Sequence, residues 1–356
     1  MGKKKSKLRK DQIEQLWTRL VESAFDFFEQ AVEEYADLPK YAILHLATSV
    51  ELFIKARLMI EHWTLLGNTG KPFSFERLTK GDFESIGFKG LFSRIEDVLH
   101  ADQCIDKHAQ SEFVALADDR NKVVHFFHSD VSKAITEKTI LQRQCRVWLY
   151  LHRLLSENWK DVFTPFEKRL SKLDRTMRKK QGFLNEVFNA SKNAIHIHRK
   201  AGKIVIPCPS CNYDAMMISN NEAFTSGKCV VCKYYSNLLH VNCSECNEMV
   251  FLESGNNACP KCGFQFESEL IADLIGCEHL DGDRKSSPTP VWCEYCNQDE
   301  VYAYKNGYIC LNCLEEHDEV TMCEWCSEYS TGSRNDTYWL GCLVCDGHAG
   351  YHQDRD

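Results

Sequence analysis

Apolar residues recur at three- and four-residue steps between positions 11 and 36, at Leu16, Leu20, Ala24, Phe27 or Phe28 and Ala31, and this spacing predicts an amphipathic helix. Asp37-Leu38-Pro39 breaks it and opens the next helix, because proline is tolerated in a first turn. From 39 to 63 the pattern changes: Ile43, Leu44, Leu46, Ala47, Val50, Leu52, Phe53, Ile54, Ala56, Leu58, Met59 and Ile60 leave almost no polar side. Such a helix sits in the middle of a bundle or faces a partner subunit as well. Residues 64 to 88 hold Gly67, Gly70, Pro72 and Gly81 and read as a loop with short turns. Short helices are expected at about 89–100 and 108–128. A last long one, about 132–163, carries Ile140, Val147, Trp148, Leu151, Leu154, Leu155, Trp159, Val162 and Phe163 before Pro165 ends it. Residues 11–165 thus read as an all-α bundle of four main helices, long enough to bury its own core, behind a basic tail at 1–10.

Charge and cysteine divide the rest. Residues 166–205 read as a basic connector: eleven Lys/Arg stand against three acids between 165 and 205. Residues 243–356 hold 22 acids and 6 bases. Of 19 cysteines, only Cys104 and Cys145 precede residue 200, and sixteen of the others form eight C-x-x-C pairs. Such pairs are poor disulfide frameworks and good metal knuckles in a reducing compartment, which predicts a cytoplasmic chain.

Taken in order, the pairs make four candidate sites, Cys208/Cys211/Cys229/Cys232, Cys243/Cys246/Cys259/Cys262, Cys293/Cys296/Cys310/Cys313 and Cys323/Cys326/Cys342/Cys345, with gaps of 17, 12, 13 and 15 residues. That spacing matches, or falls just short of, a structural zinc site. The third and fourth sites have an alternative, cross-braced pairing of their knuckles. Between knuckles the sequence reads as hairpins, with Asn306-Gly307 a turn signal in the third. These stretches resemble zinc ribbons, Cys259-Pro-Lys-Cys262-Gly most of all. Two ribbons are expected in 206–268 and two in 291–350, with a linker at 269–290 and four structural zinc ions. A site with four cysteine ligands has no open position for water, so zinc is expected to be structural rather than catalytic. Cys277 with His279 has a ligand-like look but reads as an ordinary cysteine beside the linker.

Overall composition is that of a globular protein, with 44% hydrophobic and 26% charged residues and a net charge of -8. No stretch of eighteen apolar residues escapes a charge, which argues against a membrane-spanning helix. Met1 to Lys10 is basic with no apolar core behind it, so no secretory signal is expected, and Met1-Gly2-Lys3-Lys4-Lys5-Ser6, though it fits a short myristoylation pattern, reads as a basic tail.

The informative segment of the helical region is Asp118-Asp119-Arg120-Asn121-Lys122-Val123-Val124-His125-Phe126-Phe127. On a helix Asn121 and His125 share a face, while Arg120 and His125 lie roughly 140° apart, so one copy cannot easily aim both at a single phosphate. Two copies across a twofold axis can. On spacing alone this is equally an arginine and a histidine near the end of an ordinary helix. Arg120-Asn-Lys-Val-Val-His125 resembles the R-x4-6-H motif of the HEPN superfamily, and it lies before the last long helix of a small bundle, over about 11–163. The resemblance implies an α-helical homodimer and a metal-independent endoribonuclease of a toxin, stress or antiviral-defence kind. Arg120, Asn121 and His125 would be catalytic and RNA the substrate. Where some HEPN toxins carry a modified tyrosine two residues after the histidine, this chain has Phe127, which puts that mode of control in doubt. Asp118, Asp119 and Glu51 are candidate helpers, with salt-bridging to Lys122 or exposure as their plainer roles. The alternative function is a non-catalytic module, a HEPN-like dimer whose ribbons bind RNA or, through the acidic tail, a protein partner.

Overall fold

The computed structural model describes residues 2–125, 133–278, 289–332 and 335–353, and their side chains apart from those of 2–9, 125, 133–138 and 351–353. It divides into two compact units, Met1–Ala190 and Ser191–Asp356.

The first unit is helical. Its elements are α1 (Gly2–Glu34), α2 (Pro39–Glu61), α3 (Phe75–Lys80), α4 (Phe88–Val98), α5 (Lys107–His125), α6 (Lys133–Arg153), α7 (Lys160–Phe163), α8 (Glu167–Met177) and α9 (Gln181–Lys200), the last crossing into the second unit. In α1 the buried stripe is Trp17, Val21, Ala24, Phe25, Phe28, Ala31 and Val32. It is rotated by about one position from the expected Leu16/Leu20 face, because Trp17 reaches into the core and donates its indole N–H to the Ala56 carbonyl at 3.1 Å. The all-round apolarity of α2 is answered inside the bundle: α1, α4, α5 and α6 all pack on it, and of its twelve apolar residues named above only Ile60 remains exposed. Its composition therefore needs no partner subunit. The core centre is aromatic, with Phe53 meeting Phe25 and Phe163 edge-on at 4.9 and 5.7 Å between ring centres.

The long helix expected to run to 163 is interrupted. At 154–158 it widens into a π turn in which Trp159 N–H reaches back to the Leu154 carbonyl at 2.7 Å. The basic stretch 166–205 carries two helices. On α8, Leu170, Leu173 and Met177 are buried, and Arg169 binds Asp26 and Glu29 of α1 at 2.5 and 2.6 Å. Charge alone hid that apolar stripe. Among the described residues no helix is long and apolar enough to cross a membrane.

The second unit is β-rich. β1 (Val205–Pro207), β2 (Asp214–Ile218), β3 (Phe224–Cys229), β4 (Tyr235–Asn242) and β5 (Met249–Glu253) form one antiparallel meander in sequence order. The other sheet holds β6 (Val291–Trp292), β7 (Asp299–Tyr304), β8 (Gly307–Cys310), β9 (Glu316–His317), β10 (Val320–Met322) and β11 (Tyr329–Thr331) in the order β10-β11-β6-β7-β8-β9, with β11 and β6 parallel. Among the described residues it also holds three short helices, α10 (Ser268–Ile275), α11 (Thr337–Leu340) and α12 (Gly347–Gln353).

The hairpins are not independent beads. β4 belongs to two of them, pairing with β3 on one side and β5 on the other. Val241, Val250 and Leu252 join Ile271 and Ile275 of α10 and Tyr302, Ile309 and Leu314 of the third hairpin in one core. The stretch expected as a linker therefore begins with a packed helix; residues 279–288, with His279, lie outside the described residues. The third hairpin turns at Lys305, whose φ is 55°, and Gly307 already belongs to β8. Glycine serves there because a Cβ would come within 2.9 Å of the His317 carbonyl oxygen on β9.

Candidate functional site

Seven of the eight C-x-x-C pairs fold their chain in the same way. In seven of the eight, the residue after the second cysteine sits in the left-handed region: Asn212, Lys233, Asn247, Gly263, Asn297, Leu314 and Ser327, with φ between 53° and 79°. Its N–H returns to the carbonyl of the first cysteine, as from Asn212 to Cys208 at 2.7 Å and from Leu314 to Cys310 at 2.8 Å. The first cysteine's own N–H then binds the carbonyl one residue further on, as Cys243 does with Glu248 at 2.9 Å. The loop thereby turns both sulfurs to one side. Only glycine and asparagine take such backbone readily, so Lys233, Leu314 and Ser327 carry strain that the surrounding contacts must hold. Leu314 shows how: its side chain is fully buried in the shared core, and its carbonyl accepts from the Asn237 carboxamide at 2.8 Å.

Two knuckles meet at each hairpin end. Sulfur–sulfur distances are 3.6 and 3.7 Å for Cys208–Cys232 and Cys211–Cys229, and 3.7 and 3.8 Å for Cys243–Cys262 and Cys246–Cys259. They are 3.6 Å for both Cys293–Cys313 and Cys296–Cys310, and 3.7 and 3.6 Å for Cys323–Cys345 and Cys326–Cys342. A tetrahedron of sulfurs about 2.3 Å from a central ion has an edge of about 3.8 Å, whereas a disulfide bond is about 2.05 Å long. The four tetrads therefore fit four thiolate-bound ions and not disulfides. All sulfurs of each tetrad lie within 4.8 Å of one another. Pairing is sequential throughout, and the cross-braced arrangement of the last two sites is not adopted. Backbone N–H groups point at the inner sulfurs, from Val231 and Cys232 to Cys229 at 3.3 and 3.4 Å and from Val344 to Cys342 at 3.3 Å. Such bonds favour the thiolate that a metal needs.

Two details were not legible in the spacing. The eighth knuckle departs from the rule: Cys342 N–H binds the Cys345 carbonyl at 3.0 Å, and the left-handed positions are Gly341 and Gly347, against which backbone packs too closely for a Cβ. At the third site buried His317 brings Nε2 to 3.6 Å from Cys293 Sγ and stacks on Tyr295. It lies four residues beyond the last cysteine of its site, outside the C-x-x-C rhythm, and only the β8–β9 pairing delivers it. Cys277 joins no metal-ligand cluster among the described residues; it lies in the shared core, where burial pushes its thiol up to about 12. Cys145 is likewise buried beside the Tyr35 hydroxyl at 3.2 Å, and burial raises it to about 11.

The charged segment of the helical unit falls on the last turns of α5, where neighbours have different work. Asp119 is buried and bonds Arg143 of α6, with Lys122 at 3.6 Å. That is the plain salt-bridging role, and it ties α5 to α6. Asp118 is exposed. Arg120 is about one-third exposed; its Nε and Nη2 donate to the Asn121 carboxamide oxygen at 3.3 and 3.1 Å, and Nη1 lies 3.7 Å from Glu51 of α2. Glu51 already holds Lys55 at 2.5 Å. Asn121 and Val124 are exposed. The backbone of His125 ends α5; its side chain, with Phe126 and Phe127, lies outside the described residues. No family model, curated protein or solved structure matches this chain.

Proposed function

We propose that the chain is a HEPN-type, metal-independent endoribonuclease whose helical unit carries the chemistry and whose ribbon unit is built on four structural zinc ions. The observation that carries the catalytic part is the division of labour on α5. Asp119 is consumed by the fold, while Arg120 stays at the surface with its guanidinium steadied by Asn121 and by a carboxylate that another cation already shares. A phosphate would take over the Nε and Nη2 donors that now face the Asn121 carboxamide, a neutral acceptor weaker than a phosphate oxygen.

His125 removes the proton of an RNA 2′-hydroxyl; the 2′-oxygen attacks the adjacent phosphorus and the bond to the 5′-oxygen breaks. The products are a 2′,3′-cyclic phosphate and a 5′-hydroxyl that takes up a proton. Arg120 stabilises the charge on the phosphate oxygens. The angle between Arg120 and His125 on one helix calls for a second copy, so the active form is a homodimer, its cleft shared between chains. Because α2 is covered within the bundle, this dimer rests on the shared site and on exposed Val124, not on surplus apolar surface.

Soft tetrathiolate sets select zinc from the common divalent ions, and the tetrads leave no open coordination position. The ribbons thus hold a scaffold for an RNA target or a protein partner. Cytoplasmic residence suits thiolates that must stay reduced. The test is incubation of the purified protein with total RNA beside His125→Ala and Arg120→Lys. Cleavage leaving 2′,3′-cyclic ends, lost in both variants, supports the reading. Cleavage that survives His125→Ala, or none from a zinc-loaded dimer, overturns it.

A further inference from the structure

We infer that the helical unit holds a second site, distinct from the Arg120 residues, that takes a nucleoside phosphate. The end of α6, the π turn, α7 and α8 enclose a cleft of about 700 Å³. That lies within the range of small-ligand pockets. Its floor is apolar, from Leu155, Phe163 and Leu170, and suits the face of a base. Its rim is cationic, from Lys160, Lys168 and Arg175.

The basic residues of α8 fall into two groups. Arg169 binds Asp26 and Glu29 of α1, and Arg178 binds Asp174 at 2.8 Å, so both are spent on the fold. Lys168 and Arg175, seven apart and on one face of the helix with Ser171, are exposed and line the cleft. Neither they nor Lys160 form an ion pair among the described residues. Two carboxylates share the cleft. Asp174 is compensated by Arg178, and His152 Nε2 lies 3.5 Å from it. Glu167 is exposed and stands against three cations, leaving the rim net positive. The Ser156 hydroxyl donates to the His152 carbonyl at 2.8 Å and lies 3.4 Å from the ring's Nδ1. Ser156 belongs to the π turn, and such turns recur at functional sites because the extra residue re-aims side chains. Clustered cations answer phosphate; Glu167 and the oxygens of Ser156 and Thr164, whose protons go to the His152 and Lys160 carbonyls, can accept from ribose hydroxyls.

The experiment is calorimetric titration of the full chain with adenosine 5′-monophosphate, adenosine, inorganic phosphate and a 5′-phosphorylated oligoribonucleotide, the last on His125→Ala protein. It reads binding alone, so failure of the ribonuclease reading leaves it standing. The monophosphate is expected to bind and to lose about tenfold or more in affinity in Lys168→Glu and in Arg175→Glu, the size of one charge-assisted contact. Lys172→Glu, at an exposed position of the same helix but outside the cleft, should leave affinity unchanged. Binding by the oligonucleotide alone assigns the site to an RNA end, and binding by the monophosphate to a free nucleotide. Adenosine or inorganic phosphate binding as tightly as the monophosphate, an equal loss in Lys172→Glu, or no binding by any of the phosphorylated probes overturns the inference.

Discussion

In the helical unit the largest fully buried side chains are Trp148, Trp159, Phe25, Phe28, Phe53, Phe113 and Phe183. In the ribbon unit the inner cysteine of every knuckle is buried, beside mostly smaller apolar residues such as Val231, Val241, Val250 and Ala272. Aromatic burial of about 150–250 Å² per side chain is enough to hold seven long or medium helices together. Hairpins of two to eight residues per strand bury too little for that, and an ion replaces the missing apolar contacts. The difference teaches where each unit is fragile: one depends on the shape of its core, the other on the protonation and occupancy of its sulfurs.

The largest separation between the units comes from metal removal. Zinc binding is worth about 10–16 kcal/mol per structural site at neutral pH, as much as a domain's whole stability. Purified protein should carry four zinc ions. A strong chelator should open residues 205–345 to protease while the helical circular dichroism stays near its starting value. One zinc or none, or helix lost in step with metal, would break the comparison.

Next in size is activity. His125→Ala should slow RNA cleavage by about 10²–10⁴-fold while leaving zinc content unchanged. A magnesium chelator too weak to strip the ribbons should leave the wild-type rate as it was. Gel analysis of a defined RNA with both treatments checks this, and a rate that falls with the weak chelator would move the chemistry to a metal site.

A core truncation acts on the other side of the comparison. Phe53→Ala removes a ring that meets Phe25, Phe28 and Phe163, and should cost about 3–5 kcal/mol of helical-unit stability. Denaturant melts followed by helical signal and by zinc release should show only the first one shifting. Coincident shifts would mean that the two units unfold together.

The smallest effects sharpen the account of the knuckles. Gly263 has φ 79° and open space where a Cβ would sit, so Gly263→Ala should cost only the left-handed backbone penalty of about 1–2 kcal/mol. Lys233→Gly, at φ 68°, should act in the opposite direction, offset in part by the greater freedom of an unfolded glycine. Competition for zinc with a graded chelator reads both. The same sign from the two would refute the strain argument.

The sequence by itself determined the two modes of folding and the four ligand sets. Helical periodicity and the C-x-x-C rhythm are local, since each needs only a few neighbouring residues and a fixed repeat. The charge run at 166–205 was just as visible, but it concealed Leu170, Leu173 and Met177, because a count of charges ignores their spacing. Tertiary structure alone decided what depends on residues far apart in the chain. It covered α2 within its own bundle, began the expected linker with the packed helix α10, made β4 common to two hairpins and brought His317 to Cys293. It also separated Asp119 from Arg120, neighbours in sequence, into a buried ion pair and a surface guanidinium, because a step of one residue turns a helix by about 100°.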